Sequence, residues 1–270
     1  MRPLHAAAIV LSLAVTNTAC GPTPAAPASA APSSALDALR ARGTLVVAIR
    51  VEAPPPDRNA GDPAHAQKRA FEAAVALILA QRILGPNAKI ELRSTGADRL
   101  VGLDQGADIA MTVDTAAARD RALVSPPYAA ASIVLAAKTG GPVKQLEDIR
   151  GAAVAVAMDE LGARAIAQAF LQERAIAATL DTYMGVSGSA TAVDAGKAVA
   201  LIGDKIGVSV IAADRSLTTI VAIAQRPYVI AVRKSAPELA AAIADALRAA
   251  LASGAIRDAA TKAAFPYEAP

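Results

Sequence analysis

The residues of this chain best equipped for chemistry lie around a double proline. Residues 115–139 read TAAARDRALVSPPYAAASIVLAAKT: Arg119 and Arg121 on a polar loop, a rigid turn through Ser125, Pro126, Pro127 and Tyr128, then an uncharged β-capable run from 132 to 137. A pinned cation feeding a strand that leaves the first half of the chain suits an anion site between two lobes, because a guanidinium fork presents paired N–H groups to a carboxylate. Acids are candidates too. Asp159 and Glu160 stand where a helix is expected to begin, and Asp204 follows the buried run VALIG. An acid pair at a helix N-terminus is favoured by the dipole but repels a carboxylate, so it suits a cationic group better. Glu160 and Asp204 across a cleft could do acid–base chemistry; Asp204 could equally cap the helix from Lys205 onward.

Other chemistries find no residues. His5 lies in the leader and His65 near a helix start, and Cys20 is the only cysteine. The mature chain therefore holds no Ser-His-Asp or Cys-His constellation, no intrachain disulfide and no thiolate metal cluster. The stretch Gly185-Val186-Ser187-Gly188 reads as a turn between strand and helix, not a phosphate loop. No catalytic residue, cofactor or metal is expected. The net charge of +3 comes from basic and acidic residues that alternate, which leaves no nucleic-acid footprint.

The elements that must position these residues come next. A chain of 270 residues can bury a sizeable core. Apolar residues make up 54% but aromatics only 3%, with no Trp, so Ala, Val, Leu and Ile fill the interior. Residues 1–19 read as a signal: Arg2 supplies the positive start and 6–15 an apolar run too short to span a bilayer. Thr18, Ala19 and Cys20 then resemble a bacterial lipoprotein signal, with Asn17 where leucine is usual and Cys20 as the lipidated residue. Residues 20–34, rich in Pro, Ala and Ser, read as a flexible tether.

Beyond the tether, a short helix at 35–42 is stopped by Gly43, and a buried strand follows at 44–50. Residues 53–63 can only be a loop, and a long helix at 64–84 turns Phe71, Val75, Ile78 and Leu79 to one face, with Lys68 and Glu72 elsewhere. Strands at 89–94 and 107–113 flank a helix at 97–103, a βαβ rhythm that calls for a parallel sheet covered by helices. The second half repeats it, with a helical turn at 143–149, strands at 152–158, 179–184 and 199–202, and helices at 160–175, 189–195 and 205–213. In the 160–175 helix, Leu161, Ala165, Ala169 and Phe170 are expected inward. Separate strands at 218–223 and 228–234 precede a clean amphipathic helix at 237–252.

The order GTLVVAIR, APPP, GADIAMT, an Arg-bearing loop, SPPY, LEDIRGAAVAVAM, VALIGD, RPYVIAVRK and PELAAAI resembles the family-3 extracellular solute-binding proteins. These are the type II periplasmic binding proteins of polar amino-acid ABC transporters. The likeness runs from residue 35 to the C-terminus. It implies an α/β fold of two lobes, each a mostly parallel sheet flanked by helices, joined by crossing strands at 132–138 and 228–234. Lobe 1 would comprise 35–138 and 225–270, and lobe 2 residues 139–224. The resemblance further implies that Arg119 grips a ligand carboxylate and Asp204 a ligand ammonium, with Tyr128 beside the crossover and Thr112 at the end of the third strand as secondary contacts. The implied role is a monomeric, extracytoplasmic or periplasmic lipoprotein that delivers a small polar solute to an ABC permease. An enzyme of dehydratase or lytic-transglycosylase-associated type, or a sensing or degenerate domain, is the alternative on the same scaffold.

Three departures narrow the ligand. Pro56 and Asp57 stand where the family places an aromatic wall, Phe71-Glu72-Ala73-Ala74 lacks a second acid, and Met158-Asp159-Glu160 replaces a Gly-Ser-Thr. A ligand with positive charge, or a small non-aromatic one, fits Asp159, Glu160 and Asp204 better than an ordinary α-amino acid.

Overall fold

Local sequence explains most elements of the computed structural model, which describes residues 34–50, 63–96, 98–158 and 162–270. The leader at 1–19, Cys20, the tether up to residue 33, the loop through 53–62, Asp159 and Glu160 lie outside those residues, as does the side chain of His65. Ser34 opens α1 (Ala35–Arg42) by accepting the Asp37 N–H at 3.1 Å, and Gly43 closes it in the left-handed region at φ 67°. The next strand, β1 (Thr44–Arg50), is buried through its middle five residues, and α2 (Pro63–Leu84) lays Phe71, Val75 and Leu79 against it. Ile78 packs at the margin of the same core.

The expected βαβ rhythm is present. Strand β2 (Lys89–Thr95), helix α3 (Val101–Asp104) and strand β3 (Ile109–Val113) follow, and β1 pairs in parallel with both strands. Here α3 is shorter than the 97–103 expected, and within it Gly102 sits where a Cβ would come 2.3 Å from that of Ala48. The Arg-bearing loop is itself structured: α4 (Ala116–Arg121) runs into β4 (Ala122–Val124). Then β5 (Ala129–Lys138) leads through a 3-10 turn at Leu146–Ile149 to β6 (Ala153–Met158), α5 (Ala163–Glu173) and β7 (Thr179–Met184). Starting at Gly162, α5 turns Ala163, Ala167 and Leu171 inward. Ala165 and Ala169 are exposed, against expectation, because the inward stripe at four-residue spacing is that of Ala163, Ala167 and Leu171.

Residues 185–188, expected as a turn, form the first turn of α6 (Gly185–Asp194). Strand β8 (Ala200–Asp204), helix α7 (Lys205–Arg215), strand β9 (Leu217–Arg233), helix α8 (Pro237–Ala252) and helix α9 (Ala255–Lys262) complete the chain. The two late strands expected from sequence are one, β9. Pro227 does not break it: the β5–β9 register runs regularly through Ala130 opposite Pro227, and the Pro227 carbonyl still accepts from Asp114 N–H at 2.8 Å. The ladder's register shifts lie further back, between Thr219 and Ala224.

Among the described residues one sheet runs β2-β1-β3-β9-β5-β8-β6-β7, with β4 also on β9. Pairs within each wing (β1 with β2 and β3, β6 with β7 and β8) are parallel, whereas every pair involving β5 or β9 is antiparallel. The sheet thus has two parallel wings joined by two long antiparallel strands, and the described residues form one compact unit. Where the strands join the wings, most of the chain's few aromatics gather. Phe71 stacks on Phe265 at 4.3 Å between centroids, and Tyr128 lies 6.0 Å from Phe71 and 6.1 Å from Tyr228.

Candidate functional site

The end of β3 sets the first half of the site. Thr115 caps α4 by accepting the Ala118 N–H at 3.0 Å, which directs Arg119 back over the strand end. There its guanidinium clasps Asp114 with both arms, Nε to Oδ1 at 2.7 Å and a terminal nitrogen to Oδ2 at 2.5 Å. The Arg119 side chain is 64% exposed and that of Asp114 only 14%. The hydrogen bond from Arg119 holds the Asp114 carboxyl below its ordinary range. Arg121 turns elsewhere, donating to Asp98 at 2.6 Å with Asp104 at 3.6 Å. The structure therefore separates two arginines that sequence offered together.

Thr112 is half-buried in β3 opposite Val229. Tyr128 is buried, its N–H donating to the Tyr228 carbonyl at 2.9 Å, and its hydroxyl meets no hydrogen-bond partner among the described residues. Burial, reinforced by the Glu72 charge, pushes the Tyr128 hydroxyl well above the ordinary phenol range.

Across the join, Asp204 ends β8 and caps α7. Its Oδ1 accepts the Gly207 N–H at 2.7 Å, and Gly207 is needed there because a Cβ would lie 3.0 Å from Oδ2 and 2.8 Å from Val186. The capping role that sequence left open is thus present. The field of Asp204 also reaches Lys68 and Tyr228. Lys68, half-buried on α2, holds its Nζ 4.5 Å from the centroid of the Tyr228 ring, a cation–π arrangement. Burial, aided by the Arg99 charge, lowers its pKa to about 7 although Glu72 and Asp204 pull the other way.

Glu72, one turn after Lys68, is the residue sequence reasoning misplaced. Expected away from the core face, it is buried and accepts from Arg99 at 2.6 Å, while Arg99 also donates to the Met111 carbonyl at 2.5 Å. The cause is the partner: an acid can enter a core once an arginine donates to it there, and the Met111 carbonyl in turn holds that arginine. The available signal was Arg99, a cation placed among Leu100, Val101 and Leu103. Among the described residues no group of three His, Cys, Asp or Glu converges on a metal position. Charged groups of both signs thus line the join between the wings, with Asp114, Arg119 and Lys68 from one side and Asp204 from the other, and the buried Glu72 behind Lys68.

No protein-family model and no curated protein sequence matches the chain. Solved structures do. An ancestral cationic amino acid solute-binding protein superposes with a TM-score of 0.62 and 25% identity, covering 85% of this chain and 99% of that one. An amino acid ABC transporter substrate-binding protein from Streptococcus pneumoniae, AbpA, bound to L-arginine, gives a TM-score of 0.60 at 18% identity, covering 84% and 97%. An ancestral amino acid-binding protein described as a precursor of cyclohexadienyl dehydratase gives 0.59 at 24%, covering 85% and 99%. The chain has the α/β fold of these two-lobed periplasmic binding proteins.

Proposed function

We propose that this chain is a divergent family-3 solute-binding protein, which captures a small polar solute such as an amino acid or a related compound and presents it to an ABC transporter permease. It does no chemistry of its own. The observation that carries this reading is the pair of strands β5 and β9: β9 pairs with β3 of one wing, β5 with β8 of the other, and the two pair with each other, so the charges at the join belong to parts that can close on a solute by hinge motion. In this reading lobe 1 comprises 35–138 and 225–270, and lobe 2 residues 139–224. Arg119 exchanges Asp114 for the solute's carboxylate, and Asp204, Asp159 and Glu160 meet its cationic part. Thr112 lines the strand end and Tyr128 supports the wall from behind. The chain acts as a monomer outside the cytoplasm, held to a membrane through Cys20.

A thermal-shift panel of amino acids, polyamines and small organic acids on the mature chain tests this. A millimolar solute far above its Kd raises the melting temperature by several degrees; no shift from any member sinks the transport reading. A second reading, an enzyme on the same scaffold, draws on Lys68, whose pKa of about 7 beside Glu72 and Asp204 suits acid–base work, and on the structural likeness to a dehydratase precursor. A stabilising solute recovered unchanged after prolonged incubation, followed by NMR, excludes that reading.

A further inference from the structure

Beyond the helices that cover the wings, the C-terminal segment is not a loose tail. Helix α9 packs on α2 and α8, and Phe265 behind it is buried and stacked on Phe71 of α2. The segment is therefore rooted on the wing of β1, β2 and β3. From that root it crosses the joining strands. The Tyr267 hydroxyl donates to the Tyr128 carbonyl at 3.4 Å, and the Ala130 N–H of β5 donates to the Glu268 carbonyl at 3.0 Å. The Glu268 carboxylate then divides its two oxygens. Oε2 accepts the Ser132 hydroxyl at 2.6 Å, and Oε1 accepts the Lys205 ammonium at 2.5 Å. Lys205 is the first residue of α7 and belongs to the other wing; it follows Asp204 directly.

We propose that this segment is a strap across the hinge, in which the bond from Lys205 to Glu268 holds α7 against the opposite wing and sets the balance between open and closed forms before any solute arrives. The chemistry fits a releasable fastening. Glu268 is 18% exposed and Lys205 44%, so the pair is neither sealed in the core nor fully screened by water. Ser132 fixes the carboxylate on β5, so the bond senses the movement of α7 relative to that end of β5. Asp204 stays paired with Ile133 of β5, so opening moves α7 beyond it relative to an acceptor rooted on the first wing. The strap rests on the hinge reading of the fold but needs no solute, so its failure and that of solute binding are told apart.

The test uses the chain carrying Cys20→Ser with spin labels on cysteines replacing Glu91 and Asp181, exposed positions on edge strands β2 and β7 of opposite wings. Distances are measured by double electron–electron resonance without added solute. The parent should show one dominant distance, and Glu268→Gln and Lys205→Met should each raise the population of longer distances about fivefold, with the double variant no further out than either single. Lys205 is exposed enough that its variant keeps the fold, which circular dichroism checks. Distributions unchanged in the folded Lys205→Met protein, or a shift in the Glu268 variant alone, would overturn the strap.

Discussion

Two arginine–carboxylate pairs in this molecule have nearly the same bond lengths and opposite surroundings. Arg99 meets Glu72 at 2.6 Å with both side chains 3% exposed or less, whereas Arg119 meets Asp114 at 2.5 Å with its own side chain 64% exposed. In the first pair both charges have left water, so each is tolerable only while the other is present. Burial alone would lower the affinity of Arg99 for its proton, yet the neighbouring Glu72 carboxylate keeps that affinity above the ordinary guanidinium value. In the second pair water can replace either partner at little cost. The buried pair is part of the scaffold; the exposed one is a cation parked on an acid, able to change partners.

The largest effect should follow from breaking the buried pair. Glu72→Ala leaves Arg99 charged in the core and is expected to cost roughly 3–5 kcal/mol, read by chemical unfolding or as a fall of about 10 °C in melting temperature. A loss under about 1 kcal/mol would mean that solvent reaches Arg99 and that the contrast between the two pairs is false.

Lys68 sharpens the contrast, since it stands between the core pair and the join. Its pKa is about 7 in the fold against 10.5 for the free side chain. Between those values the unfolded chain holds a proton that the folded chain lacks, so stability should rise with pH from about 7 to 10.5 and lie flat below 7. The slope from this group is at most about 1.4 kcal/mol per pH unit. Comparing urea unfolding of the parent and Lys68→Met at pH values across that window isolates it. A parent-to-variant difference that fails to grow with pH would show Lys68 to be well hydrated.

These environments also explain what could be read in advance. The elements whose cause is local were legible: β1 as an apolar run ending in Arg50, α1 between Ser34 and Gly43, and α8 from Pro237 to the turn before Gly254. So was the parallel rhythm that places helices over both wings. What was hidden depends on partners distant in sequence. Glu72 turns inward because Arg99, 27 residues on, is there to meet it. Pro227 stays within a strand because β3 and β5 flank it on either side. Asp204 was legible as a cap from its place before Lys205, but its approach to Lys68 comes from the other wing and has no local signature.

The smallest effect on stability should come from Arg119, and it matters most for function. Its fork is exposed, and Asp114 can be hydrated in its absence, so Arg119→Ala should leave the melting temperature of the free protein unresolved from that of the parent. With a stabilising solute from the panel present, the same substitution should erase the shift, because the solute's carboxylate loses both hydrogen bonds of the fork at once. Arg119→Lys separates charge from geometry: an ammonium keeps the attraction but offers no planar pair of donors, so part of the shift should return. If Arg119→Ala retains the full shift, Arg119 is only the partner of Asp114, and the exposed pair takes no part in holding the solute.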